Sequence, residues 1–169
     1  MKKVDRKKLD LFPLFSGLTD SELDAVVDII ATKDMDPGTV IIREGDIGDE
    51  IFLLDEGTVD IHKTLTIVTS KQEFGTKERS FIRLTGDDHC FFGELALFGT
   101  RERSASVQAV LKCKLMVIKA DDFIRLFDRE PRIGYVVVSN IAAILSINLR
   151  KTNEDVIKLT TALSLSLSG

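Results

Sequence analysis

The stretch VIIREGDIGDEIFLLDEGTVDIHK, residues 40–63, decides the fold class of this chain. Short β-rich apolar runs alternate in it with glycine and aspartate, and Gly45, Gly48 and Gly57 fall where tight turns are needed. Runs of the same kind follow as RSFIRLTGDD, where Gly86 marks another turn, SASVQAV and CKLMVIKA. Several short strands at regular spacing predict an antiparallel sandwich or barrel over residues 35–119.

Helical patterns flank this β-rich region on both sides. Residues 1–34 are predicted as a helical lead-in, because Thr19 and Glu22 fit a capping box and are followed by apolar residues at helical spacing. Within residues 120–169, Asp121 is expected to cap a first helix. Pro131 then ends that helix or opens a longer one, from about Arg132 to about Lys158. The predicted fold is mainly β: one domain, an antiparallel β-roll of the jelly-roll type, with an N-terminal helical segment and two C-terminal helices.

Composition narrows the classes of function. The chain has 169 residues and a net charge of -4, so it offers no basic field for nucleic acid, and its basic start MKKVDRKK is expected to be a solvated tail. No run reaches the length of a membrane span, and no signal peptide is recognised. Cys90 and Cys113 lack metal-type spacing and are predicted to be reduced thiols in a cytoplasmic protein.

The sequence contains no recognised motif for metal binding or catalysis. His62 and His89 are the only histidines, and no His-x-His or Cys-x-x-Cys pair accompanies them, so no metal site is expected. The sequence has no nucleophile elbow, no phosphate loop and no dinucleotide-binding glycine motif. The chain is therefore predicted not to be an enzyme.

One segment carries a pattern that suits a ligand: FGELALFGTRERSASVQA, residues 92–109. Gly93 allows close approach of another group, and ELAL fits one helical turn whose free amides suit an anion. The Arg103 guanidinium matches phosphate oxygens, and Ser104 offers a small donor beside it. Glu94 can accept a hydrogen bond from a sugar hydroxyl. One ligand with a phosphate and a ribose would satisfy these residues together.

This segment resembles the phosphate-binding cassette of cyclic nucleotide-binding domains, the family of the catabolite activator protein and of the regulatory subunits of cyclic-AMP-dependent kinase. The resemblance covers nearly the whole chain and implies a β-roll flanked by helices. It also implies that Glu94 binds the ribose 2′-hydroxyl, that Arg103 pairs with the cyclic phosphate and that Ser104 supports it. The other ligand-binding residues it implies are Gly93, Leu95 and Ala105. The expected ligand is a cyclic nucleotide, with cyclic AMP favoured over cyclic GMP.

Several alternatives stay open at this point. Arg103 could instead pair with Glu94, and the roll could be a ligand-free scaffold for protein interaction or dimerisation. Arg101 and Glu102 are interpreted as solvated loop charges. Asn148 and Thr152 interrupt the apolar stripe of the long helix, where a polar residue can fix the register of a helix pair, face solvent or contact a nucleobase.

The expected output of the domain follows from this long helix and from the segments that were not found. A homodimer through the helix is expected, together with an effector protein of unknown identity. Without a DNA-reading segment, the chain is interpreted as a stand-alone sensor module or as part of something larger.

Overall fold

The computed structural model of the chain describes residues 4–68, 74–99 and 101–167, and gives only the backbone for 64–68 and 74–81. The helices are α1 Arg6–Leu9, α2 Asp20–Val27, α3 Ala120–Arg129 and α4 Pro131–Leu167, with short 3-10 helices at Pro13–Phe15, Gly86–Asp88 and Glu94–Leu97. The strands are β1 Ile30–Met35, β2 Val40–Ile42, β3 Glu50–Glu56, β4 Thr58–Val68, β5 Phe74–Thr85, β6 Phe91–Phe92, β7 Ser106–Ala109 and β8 Cys113–Lys119.

The strands form two antiparallel sheets that build the predicted roll. One sheet has the order β1-β8-β3-β6 and the other the order β2-β7-β4-β5. Strands that are distant in sequence pair with each other, such as β3 with β8 and β2 with β7. The predicted fold class, mainly β with an antiparallel roll and flanking helices, is confirmed.

Strands β3 and β8 are the two inner strands of the first sheet, and both of their faces are buried. Successive side chains of a strand point to opposite faces. Ile51 and Leu53 of β3 therefore pack with the helices, whereas Phe52 and Leu54 point into the roll. The same alternation on β8 places Met116 and Ile118 outward and Leu115 and Val117 inward. The first sheet is thus shared between two hydrophobic clusters, which fixes the helices against the roll.

The N-terminal segment differs from the expectation in two places. The predicted capping box is confirmed, with the Thr19 side chain accepting from the Glu22 amide and the Glu22 carboxylate accepting from the Thr19 amide. However, α2 ends at Val27, and residues expected to be helical up to 34 form β1 instead. The reason is tertiary: Ile30 to Met35 pair in register with β8, and this ladder overrides the helical spacing.

The basic start of the chain, from residue 4 onward, is not a solvated tail. Asp5 caps α1 by accepting from the Lys7 amide at 3.0 Å. Lys8 donates to both carboxylate oxygens of Asp55, at 2.7 and 2.8 Å. Leu9 is fully buried in the cluster under the helices. Lys8 therefore ties the first helix to β3 of the roll, and Arg6 pairs with Asp20 and Asp24 of α2.

The C-terminal helices also begin differently from the expectation. Helix α3 starts at Ala120, so its N-cap position is Lys119, which forms no side-chain cap. Asp121 lies inside the first turn and is not the cap, and its carboxylate accepts from Arg101 at 2.5 Å. Pro131 opens α4, which continues to Leu167 and so runs past the expected end near Lys158.

Helix α4 is long and mostly unpacked. Its first turns are held by the roll and the N-terminal segment, with Ile133, Val137 and Ile141 buried and Asn140 donating to the carbonyls of Leu14 and Ser16. From residue 145 onward every described side chain is exposed. Contrary to the expectation that no run reaches membrane length, α4 is long and apolar enough to cross a membrane by length and composition alone. Only 22% of that apolar window is buried in the structure.

Candidate functional site

The cassette opens at Gly93, immediately after β6. Its φ of 82° lies in the left-handed region, and a Cβ there would lie 2.7 Å from Nη1 of Arg103 and 2.9 Å from the carbonyl oxygen of Glu50. Glycine is therefore the residue that this position accepts. The predicted helical turn follows directly as the 3-10 helix Glu94–Leu97.

The arginine loop is held against the loop that connects β2 to β3. The Gly45 amide donates to the Arg103 carbonyl at 2.9 Å, and the Arg103 amide donates to the Asp46 carbonyl at 2.9 Å. The Gly48 amide donates to the Arg101 carbonyl at 3.1 Å, and an isolated antiparallel bridge joins Ile47 to Glu102. The glycine-marked turn read from the sequence thus also fixes the backbone of residues 101–103.

Arg103 is a buried cation with only 9% of its surface exposed. Its Nη1 donates to the Gly93 carbonyl at 3.3 Å and its Nη2 to the Glu50 carbonyl at 2.8 Å. The guanidinium carbon lies 5.9 Å from the centre of the Phe52 ring. Burial lowers the pKa of Arg103, while the nearby carboxylates of Glu50, Asp49 and Glu94 act in the opposite direction. Backbone carbonyls, rather than a bonded carboxylate, hold this charge in place.

Glu94 is largely buried on the same side of the roll. Desolvation raises the pKa of its carboxyl, while its own backbone amide and the charge of Arg103 lower it. Within the described residues, no ion pair joins Glu94 to Arg103. The two groups are therefore not neutralising each other, which disfavours the alternative in which Arg103 pairs with Glu94.

Both groups line one cavity of about 530 Å³. The residues that line it and were singled out from the sequence are Gly93, Glu94, Leu95, Arg103, Ser104, Ala105 and Asn148. Thr152 does not line the cavity, and its hydroxyl donates to the carbonyl oxygen of Asn148 at 2.9 Å. The structure thus brings the cassette and one of the two polar residues of the long helix to the same space.

The sequence reading missed the apolar walls of this cavity. They come from β2, β4, β5, β6, β7 and α4, as Ile42, Ile61, Ile82, Leu84, Phe92, Val107 and Ile144. Alternation along the strands shows that such residues face inward, but it does not show which inward positions border a cavity and which fill the core.

The two loop charges beside Arg103 also differ in their surroundings. Arg101 is ion-paired with Asp121 of α3, whereas Glu102 is exposed and lines the cavity. Glu102 is thus a solvated charge, as interpreted from the sequence, and it also borders the cavity.

The arrangement suits a molecule with three distinct parts. A buried guanidinium can bind an anionic group, and a neighbouring carboxylate can accept from a hydroxyl. Apolar walls can cover a flat ring, and the Asn148 amide offers a donor and an acceptor. The described residues contain no group of three or more His, Cys, Asp or Glu side chains that could hold a metal ion.

The family model for the cyclic nucleotide-binding domain matches residues 32–130, more than half of the chain. The chain belongs to the cyclic nucleotide-binding domain family. The match covers β2 to β8, the cassette and α3, so it includes the guanidinium and the carboxylate that line the cavity.

Relatives of this cyclic nucleotide-binding domain include a cyclic AMP receptor protein, regulatory subunits of cAMP-dependent protein kinase and a putative potassium channel. The cyclic AMP receptor protein of Thermus thermophilus is 30% identical over 141 residues, which is 83% of this chain and 59% of that protein. A crystal structure of Thermus thermophilus catabolite activator protein superimposes with a TM-score of 0.72 at 30% identity, covering 88% of this chain and 63% of that chain. A co-crystal structure of the regulatory domain of Toxoplasma gondii PKA with cAMP gives a TM-score of 0.65 at 25% identity, covering 82% and 48%. The chain spans between 27% and 59% of the length of the first curated relatives that it matches.

Proposed function

We propose that this domain binds cyclic AMP in the cavity beside the cassette and acts as a regulatory module, without catalysis of its own. The observation that carries the proposal is the buried Arg103 guanidinium, which is held by two backbone carbonyls and shares a cavity with the carboxylate of Glu94. A cyclic phosphate would supply the anion that Arg103 lacks, with Ser104 as a second donor. The ribose 2′-hydroxyl would donate to Glu94.

The preference for cyclic AMP over cyclic GMP rests on Asn148. It lines the cavity from α4, whereas the strand walls contributed by Ile61, Ile82 and Leu84 are apolar. Adenine presents an amino donor beside an acceptor nitrogen, and the amide of asparagine matches that pair. Guanine presents two acceptors at the same edge, so the Asn148 oxygen would face another acceptor. Thr152 is not part of this contact, because it does not line the cavity.

Calorimetric titration with both nucleotides tests the assignment. Wild-type protein should bind cyclic AMP more tightly than cyclic GMP, and Asn148→Ala should reduce that preference by about tenfold or more, since a bidentate contact to a base contributes roughly 1–3 kcal/mol of discrimination. Thr152→Ala is the control and should keep the wild-type preference. Binding of both nucleotides with equal affinity would refute the base assignment. Failure of the wild type to bind either nucleotide, or to gain thermal stability from millimolar concentrations of it, would favour the ligand-free scaffold.

We further propose that α4 forms a homodimer. Its exposed side carries a heptad seam, defined here as Val138, Ala142, Leu145, Leu149, Thr152, Val156, Leu159 and Leu163. Steps of four and three residues alternate along this seam, which is the spacing of a two-stranded coiled coil. Thr152 is its polar member, and such a residue can fix helix register. The apolar residues of α4 are thus accounted for by the heptad seam and by the buried residues Ile133, Val137 and Ile141, and no membrane is needed to explain them.

Two substitutions with matched exposure test the dimer. Leu149 is 62% exposed on the seam, and Ile147 is 66% exposed on the opposite side of the helix. Leu149→Asp should convert a dimer to a monomer in multi-angle light scattering at micromolar concentration, because it places a charge in the interface. Ile147→Asp should leave the dimer intact. A monomeric wild type, or dissociation by both variants alike, would remove the proposal.

The cellular setting is proposed from the same features. Cys90 and Cys113 are free, and burial raises the pKa of Cys90 to about 11, so its thiol stays protonated near neutral pH. Free thiols and a net charge of -4 fit a cytoplasmic protein that does not bind nucleic acid itself. The regulatory output would then pass through α4 to the dimer and to an effector protein.

A further inference from the structure

Glu102 carries a carboxylate that borders the cavity beside the Arg103 guanidinium. It is exposed and lines the cavity together with Arg103 and Ser104. Arg101 on one side is paired with Asp121, and Arg103 on the other donates to backbone carbonyls. Among the described residues, Glu102 has neither a hydrogen bond nor an ion pair through its side chain.

The position of Glu102 is fixed by its backbone. The bridge from Ile47 to Glu102, flanked by the hydrogen bonds of Gly48 to Arg101 and of Arg103 to Asp46, holds this residue in a short antiparallel ladder. Its side chain can change rotamer, but its Cα cannot leave the rim of the cavity without breaking that ladder. The negative charge therefore stays close to any anion that binds Arg103.

We propose that Glu102 is an electrostatic attenuator, which here means a charged residue that lowers the affinity for the ligand without contacting it. Its negative charge repels the phosphate and so raises the nucleotide concentration at which the domain responds. This inference rests on the proposed function. Two unit charges about 7 Å apart in a water-like medium repel enough to change an affinity by about threefold. The Glu102 carboxylate raises the dissociation constant by that factor without touching the ligand. A domain with an uncharged residue at this position would bind the same ligand more tightly by the same factor.

The test is a titration of Glu102→Gln, Glu102→Asp and Asp128→Asn with cyclic AMP at low salt and at 1 M NaCl. At low salt, Glu102→Gln should bind about threefold more tightly than wild type, and the gain should nearly vanish at 1 M, where the screening length is about 3 Å. Glu102→Asp keeps the charge and should match wild type. Asp128→Asn makes the same change of net charge on the exposed side of α3, away from the cavity, and should also match wild type.

The outcomes separate this inference from the proposed function. Unchanged or weaker binding by Glu102→Gln at low salt would overturn the inference. So would tighter binding that persists at 1 M NaCl, or an equal gain in Glu102→Asp, because both would point to loop geometry instead of charge. If the wild type releases no heat with cyclic AMP and cyclic GMP, the proposed function itself fails, and the attenuator role fails with it.

Discussion

Replacement of Arg103 by alanine tests the anion site most directly. In the free protein its guanidinium is bonded to the carbonyls of Gly93 and Glu50, at 3.3 and 2.8 Å, and lies over Phe52. A hydrogen bond to a charged group contributes about 1.5–3 kcal/mol net. Because 1.4 kcal/mol corresponds to a factor of ten, Arg103→Ala should weaken cyclic AMP binding by roughly tenfold to 150-fold.

The same substitution should have a small effect on folding. Arg103→Ala leaves two carbonyls without their donor, which costs stability. It also removes a buried charge, and taking a charge out of water is itself unfavourable. These two effects oppose each other. The free energy of unfolding, measured with urea in the absence of nucleotide, should therefore change by about 1 kcal/mol or less, while affinity falls much further.

Arg101→Ala is the matched control for affinity. Arg101 lies two residues away in the same loop, but it pairs with Asp121 on the outside of the site, with 35% of its side chain exposed. Calorimetry should show a change in affinity of less than about fivefold for this variant, because an exposed ion pair contributes about 0–1 kcal/mol. Equal losses in the two variants, or wild-type affinity in Arg103→Ala, would refute the assignment of Arg103 to the phosphate.

Two further predictions concern stability. Arg132, then Thr19, lower the pKa of Glu22 from 4.5 to about 2, so its stabilisation is present above pH 4.5 and is lost as the pH falls towards 2. Glu22→Gln should lower the free energy of unfolding by about 1–2 kcal/mol at pH 7, a value reduced because Arg132 is exposed to solvent. In urea titrations the difference from wild type should shrink at pH 3, and a difference that stays constant with pH would contradict this. Gly57 has a φ of 99° and a Cβ there would lie 2.3 Å from the Lys112 carbonyl oxygen, whereas Gly38 has a φ of 84° and nothing within 4 Å. Gly57→Ala should lower the melting temperature much more than Gly38→Ala, because Gly38→Ala introduces only the roughly 1–2 kcal/mol of strain of a left-handed backbone. Equal shifts would show that the contact of the new Cβ with the Lys112 carbonyl does not matter.

The roll could be predicted from the sequence because its signals are local. Glycines at the turns and alternating apolar residues mark β3, β4 and β8 wherever the chain places them. Strand β1 was not predicted, since Ile30 continues the helical spacing of α2 and only its partner Ile118 on β8, far along the chain, makes it a strand. Strand β1 could not be predicted because it depends on pairing between distant segments, which no local sequence pattern contains.

The chemistry of the site was easier to predict than its surroundings. Glu94 and Arg103 stand out because a carboxylate and an arginine in a loop of small residues have few structural uses. The role of Asp121 was misjudged, since a capping position and an ion-pair partner for Arg101 look alike in sequence. The sequence predicts Glu102 as a solvated charge, and only the folded loop shows that this exposed side chain also borders the cavity.

Helix α4 joins the two proposed activities of the domain through neighbouring residues. Ile144 and Asn148 line the cavity, while Leu145 and Leu149, one position further along in each case, belong to the seam. A movement of α4 that improves contact with the nucleotide must also move the seam. By linkage, any factor by which cyclic AMP strengthens dimerisation is the factor by which dimerisation strengthens cyclic AMP binding. The contacts available at Ile144 and Asn148 set its scale at about 1–3 kcal/mol, so the apparent affinity for cyclic AMP should change with protein concentration across the monomer–dimer midpoint.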